Sequence, residues 1–383
     1  MRKPKIFNHD IMTCTHEAVT GNYLYCGRIL GMTAPEDIVQ LHPHLRPEWS
    51  AISAHYSRIG LPHSQNVIWA VSLNVLTEYP EYDVSVFYFG DSLSQDSPTR
   101  EWFRRLDPRW AEVVEQTNCK NKFIQLCEQL GVPAPRTLCF SSKAEIQFAA
   151  LPYPCYLKPA VSVNGVGICR CQDEPALRQA LTELADNISL QIQQEVVATQ
   201  FLNMQYRIVD QRAERLAITE QILDGCAHIG NRYPSPHQPW ELFDPLADWM
   251  ADRGMRDIFA FDIAVVETEA GFQYFAIECN PRFNGASYPT GIAEKLNLAT
   301  WANESFKTAC RSLHQLDLSG LEYDASTGSG VILVNWGSIL VGKIGVLIAG
   351  SFDQQRQLRD RLKQRLAHPQ IPDQIPRPQV QMV

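Results

Sequence analysis

Two acids sixteen positions apart, Asp262 and Glu278, lie in a stretch able to bring them face to face. The segment Phe261-Asp-Ile-Ala-Val-Val-Glu-Thr-Glu-Ala-Gly271-Phe-Gln-Tyr-Phe-Ala-Ile-Glu278-Cys-Asn280 reads as two strands joined by a turn near Ala270 and Gly271. The two acids are equidistant from Ala270, and side chains directly opposite across a hairpin come within about 4.5–5.5 Å. Like charges so placed repel unless a cation lies between them. Asn280, two residues beyond Glu278, shares its face and offers a carbonyl oxygen. Such oxygen donors suit Mg2+ (or Mn2+), which is commonly held by one or two carboxylates plus substrate phosphates. Pro281 keeps Asn280 extended, and Arg282 follows as a planar donor for a phosphoryl or carboxylate oxygen. A solvated hairpin is the plain alternative, but Glu278 interrupts an apolar strand, where a charge is rarely buried without a partner.

A second group of residues suits phosphate. Lys158 ends an apolar strand at Pro159, and the loop Ser162-Val-Asn164-Gly165-Val-Gly167 can bend and present backbone N–H groups. Alone this is a weak signal, because a lysine before a glycine turn is usually a surface residue. Gly337-Ser-Ile-Leu-Val-Gly342-Lys343 fits the first part of a phosphate-binding loop, but Ile344 replaces the hydroxyl residue that would bind the metal. Gly165 and Gly167 lack the third glycine of a dinucleotide fingerprint, which disfavours a nicotinamide enzyme.

These groups must be positioned by ordinary elements. Asp83 to Gly90 reads as a strand closed by a turn, within a small α/β region. Phe123, Leu126, Cys127 and Leu130 fall at helical spacing in Asn121–Gly131, a helix stopped by Gly131 with Pro133 and Pro135 beyond. Strands flank the glycine loop, a helix carries Leu177, Ala180, Leu181 and Leu184 on one face, and a strand begins at Leu190. The Pro-rich tract from Gly225 to Pro245 is expected to be a long loop and Ala299–Leu313 a helix. An apolar hairpin spans Val331 to Ile348, and a final helix Asp353 to Leu366.

Length and composition set the frame. The chain has 383 residues, 45% hydrophobic and 20% charged, which suits a folded protein of more than one domain. A formal charge of −8 with no long basic run disfavours nucleic acid as a partner. Neither a secretory signal nor a membrane span is readable, so the cytoplasm is the expected compartment. The eleven cysteines show no CxxC pair and no zinc-ligand spacing, as expected of reduced thiols.

The order of these pieces resembles the ATP-grasp superfamily: a lysine near the start of a helix ending in Gly-Val-Pro-Ala-Pro, a strand-Lys-Pro-glycine loop, a hinge strand, then Asp262 and Glu278-Cys-Asn280-Pro-Arg282-Phe-Asn284. The resemblance covers about Asn121 to Leu298 and is nearest to amide-forming members with a pre-grasp N-terminal domain, peptide ligases related to the pheganomycin enzyme. It implies an α/β (α+β) chain, divided into a pre-ATP-grasp domain (1–115), an ATP-grasp domain (116–314) and a small C-terminal α/β subdomain (315–383). It implies ATP and Mg2+ as cofactors, with Lys122 and Lys158 on the phosphates under the loop through Ser162, Asn164, Gly165 and Gly167. Gln194, Glu195 and Val197 would form the hinge at the adenine edge. The acid that holds the ribose in such families is missing, with Gln200 in its neighbourhood. Asp262, Glu278 and Asn280 correspond to the metal ligands and Arg282 to the arginine that steadies an acyl phosphate. Arg232 and Asn284 would meet substrate.

The function so implied is a ligase that activates a carboxylate with ATP and joins it to an amine, releasing ADP and phosphate (EC 6.3 type). Its substrates would be small and amino-acid-like, with neither nucleic acid nor membrane involved, and a homodimer is compatible with the reading. The alternatives are an ATP-dependent carboxylase working through carboxyphosphate and a regulatory protein that binds ATP without turnover.

Overall fold

The computed structural model describes residues 3–12, 21–90, 97–162, 167–225 and 227–368. Near the N-terminus, β1 (Lys5–Asn8), β2 (Ile38–Gln40), β3 (Asn66–Ile68) and β4 (Asp83–Val86) form a parallel sheet in the order β3-β2-β1-β4. This matches the small α/β unit expected, with the strand after Asp83 ending at Val86. The connection from β1 to β2 includes a 3₁₀ segment, Asn22–Met32, and α1 (Trp49–Arg58) lies between β2 and β3.

Two consecutive helices, α2 (Pro98–Leu106) and α3 (Pro108–Asn118), lead into α4 (Lys120–Leu130). Gly131 caps α4 at φ 68°, the left-handed conformation that only glycine adopts at little cost. A small antiparallel sheet follows, in the order β5-β8-β6-β7, from β5 (Thr137–Phe140), β6 (Cys155–Pro159), β7 (Cys169–Cys171) and β8 (Leu190–Gln194). Helix α5 (Glu174–Thr182) buries Leu177 and Leu181 against its Leu157 and Ile192.

The largest sheet has eight strands in the order β13-β12-β9-β10-β11-β14-β16-β15. They are β9 (Gln200–Val209), β10 (Arg212–Asp224), β11 (Ala227–Tyr233), β12 (Ile258–Thr268), β13 (Gly271–Asn280), β14 (Trp301–Lys307), β15 (Gly330–Asn335) and β16 (Lys343–Ala349). Helices α6 (Trp240–Asp252), α7 (Ser287–Lys295) and α8 (Phe352–Ala367) are the remaining α-helices among the described residues.

Two expectations are corrected here. The tract from Gly225 to Pro245 is not a loop: it contains β11 and the start of α6, with Pro245 inside that helix. Strand β11 is paired on both sides, by β10 and β14, and a side chain at Gly230 would lie 2.1 Å from the Asn303 carbonyl oxygen. Residues Ala299–Leu313 are not a helix either; β14 is an inner strand held by β11 and β16. Pairing on both edges and burial of Trp301 override the local preference.

Strands β15 and β16 extend the large sheet and share a core with Leu24, Leu30 and Tyr56 from the first part of the chain. A second core joins β4, α3, α4 and α6 to the inner strands through Phe123, Phe259 and Phe261. We propose that the chain divides near residues 115 and 315. No helix among the described residues is long and apolar enough to cross a membrane.

The turn between α2 and α3 is held by charge. Glu115 accepts from Arg100 (3.0 and 2.7 Å), from Arg104 (3.3 and 2.9 Å) and from the Tyr88 hydroxyl (2.6 Å). Burial works to raise its pKa, but the two guanidiniums and the phenol outweigh burial and hold it at about 2. Glu115→Gln is therefore expected to cost about 3 kcal/mol of stability at neutral pH, because the nearly buried Arg100 loses its counter-charge. The folded-state pKa is depressed, so this contribution is present above the unfolded value of about 4.3 and is lost as pH falls toward 2. Urea unfolding of both proteins at pH 7 and pH 3 should show the gap closing.

Candidate active site

The hairpin β12–β13 does bring the acids together, by a route that simple counting misses. Thr268 pairs with Gly271 and the ladder runs in step to Ile263 and Ala276; Ile277 then bulges out, and Asp262 pairs with Glu278. Without that extra residue Asp262 would face Ile277. The bulge puts both carboxyls at one place in the sheet, where they share a hydrogen bond.

Three amides surround Asp262. Asn203 on β9 and Gln221 on β10 donate to Oδ1 at 2.7 and 2.6 Å, and Asn280 donates to Oδ2 at 3.0 Å. Glu278 instead meets a cation, Lys120 Nζ, at 2.8 Å from Oε2. Burial and the charge of Glu278 push Asp262 up to about 8. Burial also works to raise Glu278, but Lys120 and Lys158 outweigh it and hold that carboxyl at about 2. The pair thus keeps one proton at neutral pH, located mainly on Asp262.

Lys120 is the first residue of α4, and its backbone N–H donates to the Ala160 carbonyl at 2.7 Å, tying this helix start to the end of β6. This corrects the assignment of Lys122. Two residues on is about 200° around an α-helix, so Lys122 turns away and lines a separate depression with Glu112, Gln116 and Gln125. The available signal was that Lys120 stands three, four and seven residues before Phe123, Ile124 and Cys127, on the apolar face of the helix, where a lysine needs a carboxylate.

Lys158 lies within β6, buried, and donates to Gln193 Oε1 on β8 at 2.7 Å; Gln193 in turn donates to Thr137 Oγ1 at 3.0 Å. Arg282 donates to Asn118 Oδ1 at 2.7 Å and lies 4.1 Å from the Phe89 ring centroid. Asn118, Gln193, Asn203 and Gln221 are site residues that neither type nor spacing had marked. They come from four different elements and meet only in the fold.

Asp262, Glu278, Asn280, Arg282, Asn284, Lys120, Lys158, Ser162 and Gln194 line a single cavity of about 400 Å3. The side-chain nitrogen of Asn284 is buried there with no hydrogen-bond partner, while its oxygen accepts from Ala286 and Ser287. Asn164 and Gly165 lie outside the described residues. Gly167 follows them at φ 78°, where a side chain would press on Pro159. Arg232 is not brought to the cavity: it is exposed on β11, and His228 from that strand lines the wall instead.

At the expected hinge, Glu195 forms a two-pronged ion pair with Arg170 (2.6 and 2.7 Å), and its N–H donates to the Pro154 carbonyl. Among the described residues the Glu195 carbonyl and the Val197 N–H enter no hydrogen bond. That leaves one acceptor and one donor on neighbouring backbone units at the cavity's edge.

A divalent cation fits the acid pair. The side-chain oxygen of Asn203 is buried without a partner beside Asp262, and it adds a third oxygen donor to two carboxyls that otherwise must share a proton. Among the described residues no group of three or more His, Cys, Asp or Glu gathers, so here only two carboxyls could serve as ligands, with amide oxygens beside them.

No family model matches the sequence. Solved structures do resemble the chain. The ADP complex of N5-carboxyaminoimidazole ribonucleotide synthetase superposes with a TM-score of 0.59, at 12% identity over 94% of this chain and 95% of that one. The synthetase of Thermus thermophilus gives 0.56, at 15% identity over 88% of this chain and 100% of that one. The biotin carboxylase domain dimer of Hydrogenobacter thermophilus 2-oxoglutarate carboxylase, with MgADP, ADP and bicarbonate, gives 0.57, at 12% identity over 96% and 91%. The fold is ATP-grasp.

Lys120 and Lys122 then separate cleanly in a binding test. Lys120→Met should weaken MgADP binding by roughly ten-fold or more, the scale of one charge-assisted hydrogen bond, whereas Lys122→Met leaves it unchanged. Isothermal titration calorimetry reads both.

Proposed function

We propose that this protein is an ATP-dependent ligase that phosphorylates a carboxyl group and passes the activated acyl group to an amine. One observation carries the reading: Asp262 and Glu278 are paired across the β12–β13 hairpin in the cavity that also holds Lys120 and Lys158. Few other roles suit two carboxyls and two lysines lining one cleft.

Each side chain has a defined part. Asp262, Glu278 and Asn280, with the Asn203 oxygen beside them, would hold a divalent cation, which supplies charge neutralisation at the phosphates. Lys158, aimed by Gln193, and Lys120, aimed by the start of α4, neutralise the transferring phosphoryl oxygens. The backbone at Glu195 and Val197 offers adenine one acceptor and one donor, and Ser162 lines the phosphate end. Arg282, fixed by Asn118, steadies the acyl oxygens, and the unpaired amide nitrogen of Asn284 is available to substrate.

The reaction needs no nucleophilic side chain, because positioning and charge do most of the work in phosphoryl transfer. A carboxylate oxygen attacks the γ-phosphorus and ADP departs. The amine nitrogen then attacks the acyl carbon, loses a proton, and phosphate leaves with the acyl oxygen. An amino-acid-like substrate and a peptide-like product are the finer part of the proposal.

A second reading is carboxylation through carboxyphosphate, with bicarbonate taking the place of the carboxylate. It is favoured by the resemblance to a carboxylase domain bound to bicarbonate and to N5-carboxyaminoimidazole ribonucleotide synthetases.

The test is magnesium-dependent ADP formation over a panel of carboxylates with and without amines, beside bicarbonate alone, with mass detection of products. Bicarbonate-only turnover would select the second reading, and no turnover on any mixture would sink both. Glu278→Gln is expected to lower ADP formation at least about a hundred-fold while leaving the melting temperature within a few degrees, since it keeps the shape, and the counter-charge that Lys120 loses is offset by relief of the repulsion that keeps Asp262 protonated.

A further inference from the structure

The cavity has a second wall that the phosphoryl chemistry does not use. It is built from the N-terminal part of the chain: Ile11, Asn22, Tyr25, Arg28, Phe87 and Phe89. Its cation is Arg28, on the 3₁₀ segment Asn22–Met32, whose guanidinium carbon lies 4.5 Å from the Tyr25 ring centroid and 4.4 Å from that of Tyr288. One of its five N–H groups, Nε–H, donates to the Tyr25 carbonyl at 3.2 Å. Among the described residues no carboxylate pairs with Arg28, and its four remaining N–H groups have no partner.

The tyrosine that flanks it is itself anchored. Ser85 gives its only hydroxyl proton to Asp257 at 2.9 Å, so the His9 Nε2–H at 3.2 Å must donate to Ser85. His9 Nδ1 therefore accepts from the Tyr288 hydroxyl at 3.1 Å. This buried chain runs from β1 through β4 to the residues before β12, and it fixes the Tyr288 ring on which Arg28 rests. Tyr288 also packs against Phe283, the residue after Arg282, so the two arginines approach the cavity from adjoining walls.

Two aromatic rings hold the guanidinium while its edge stays open to a partly desolvated cavity, an arrangement suited to a planar or tetrahedral oxyanion. We propose that Arg28 is a specificity-determining residue that receives a second anionic group, carboxylate or phosphate, on the organic substrate, remote from the carboxyl activated beside Arg282. This rests on the ligase reading for the identity of the first group. The preferred substrate is thus at least dianionic.

The test titrates the MgADP-loaded full chain calorimetrically with glutamate, O-phosphoserine and glutamine, the last a neutral counterpart of glutamate. At least ten-fold tighter binding of glutamate or of phosphoserine than of glutamine is expected, and whichever binds tighter identifies the anion. Arg28→Met should erase that preference without changing MgADP affinity or the melting temperature, and Arg28→Lys should retain part of it. Equal or undetectable binding of all three, or a preference surviving in Arg28→Met, overturns the proposal. MgADP affinity is measured on the same samples, so a failure of nucleotide binding, which would undo the ligase reading, is seen separately.

Discussion

The constraint on which the rest depends is the enforced meeting of two carboxyl groups, Asp262 and Glu278, at a partly buried point in the central sheet. Burial penalises each charge and proximity penalises both together, so the site is at rest only when one acid holds a proton or a cation intervenes. The surrounding residues divide this burden unequally. Lys120 serves Glu278, and amides from Asn203, Gln221 and Asn280 serve Asp262. An amide can support a carboxyl in either protonation state, whereas a lysine favours only the charged one. The asymmetry of partners thus explains why the proton resides on Asp262.

Everything nearby keeps those partners in register. Lys120 is fixed because α4 begins on the Ala160 carbonyl, at the end of the strand that carries Lys158. Lys158 is aimed by Gln193 and Gln193 by Thr137, so three strands of the small sheet meet in one cation. Arg282 is tied through Asn118 to the Phe89 carbonyl, which links the end of α3 to the N-terminal unit. The cavity therefore has walls from the N-terminal unit, the start of α4, the small sheet and the β9–β13 part of the large sheet. The shared core of the first and last segments, with Tyr56 donating to the Leu333 carbonyl at 2.9 Å, holds those walls to one another.

Much of this was legible before any coordinates. The helix stopping at Gly131, the hairpin around Gly271 and the final helix all emerged from periodicity and turn residues, which are local properties. Asp262, Glu278 and Lys158 could be singled out because charged residues in apolar strands demand an explanation, and Asn280 and Arg282 because they follow Glu278 directly on the same face or after Pro281. Where the reading failed, long-range pairing had overruled local preference: β11 and β14 form because each is flanked by two strands already in place. The family resemblance implies Lys122, yet Lys120 lies more than half a turn of helix away from it and is the one that faces Glu278.

By itself the sequence determined the cast of chemical groups and their order: an acid pair with an asparagine and an arginine, a lysine before a glycine loop, and an overall acidic chain. Residue type and spacing suffice for that, since they decide which side chains share a strand face or a helix side. Only the tertiary structure decided which of these groups touch. The bulge at Ile277, the choice of Lys120, the amides beside Asp262 and the stacking of Arg28 between two tyrosines each depend on elements distant in the chain. Contacts of that kind are set by the packing of whole sheets, which no local pattern encodes.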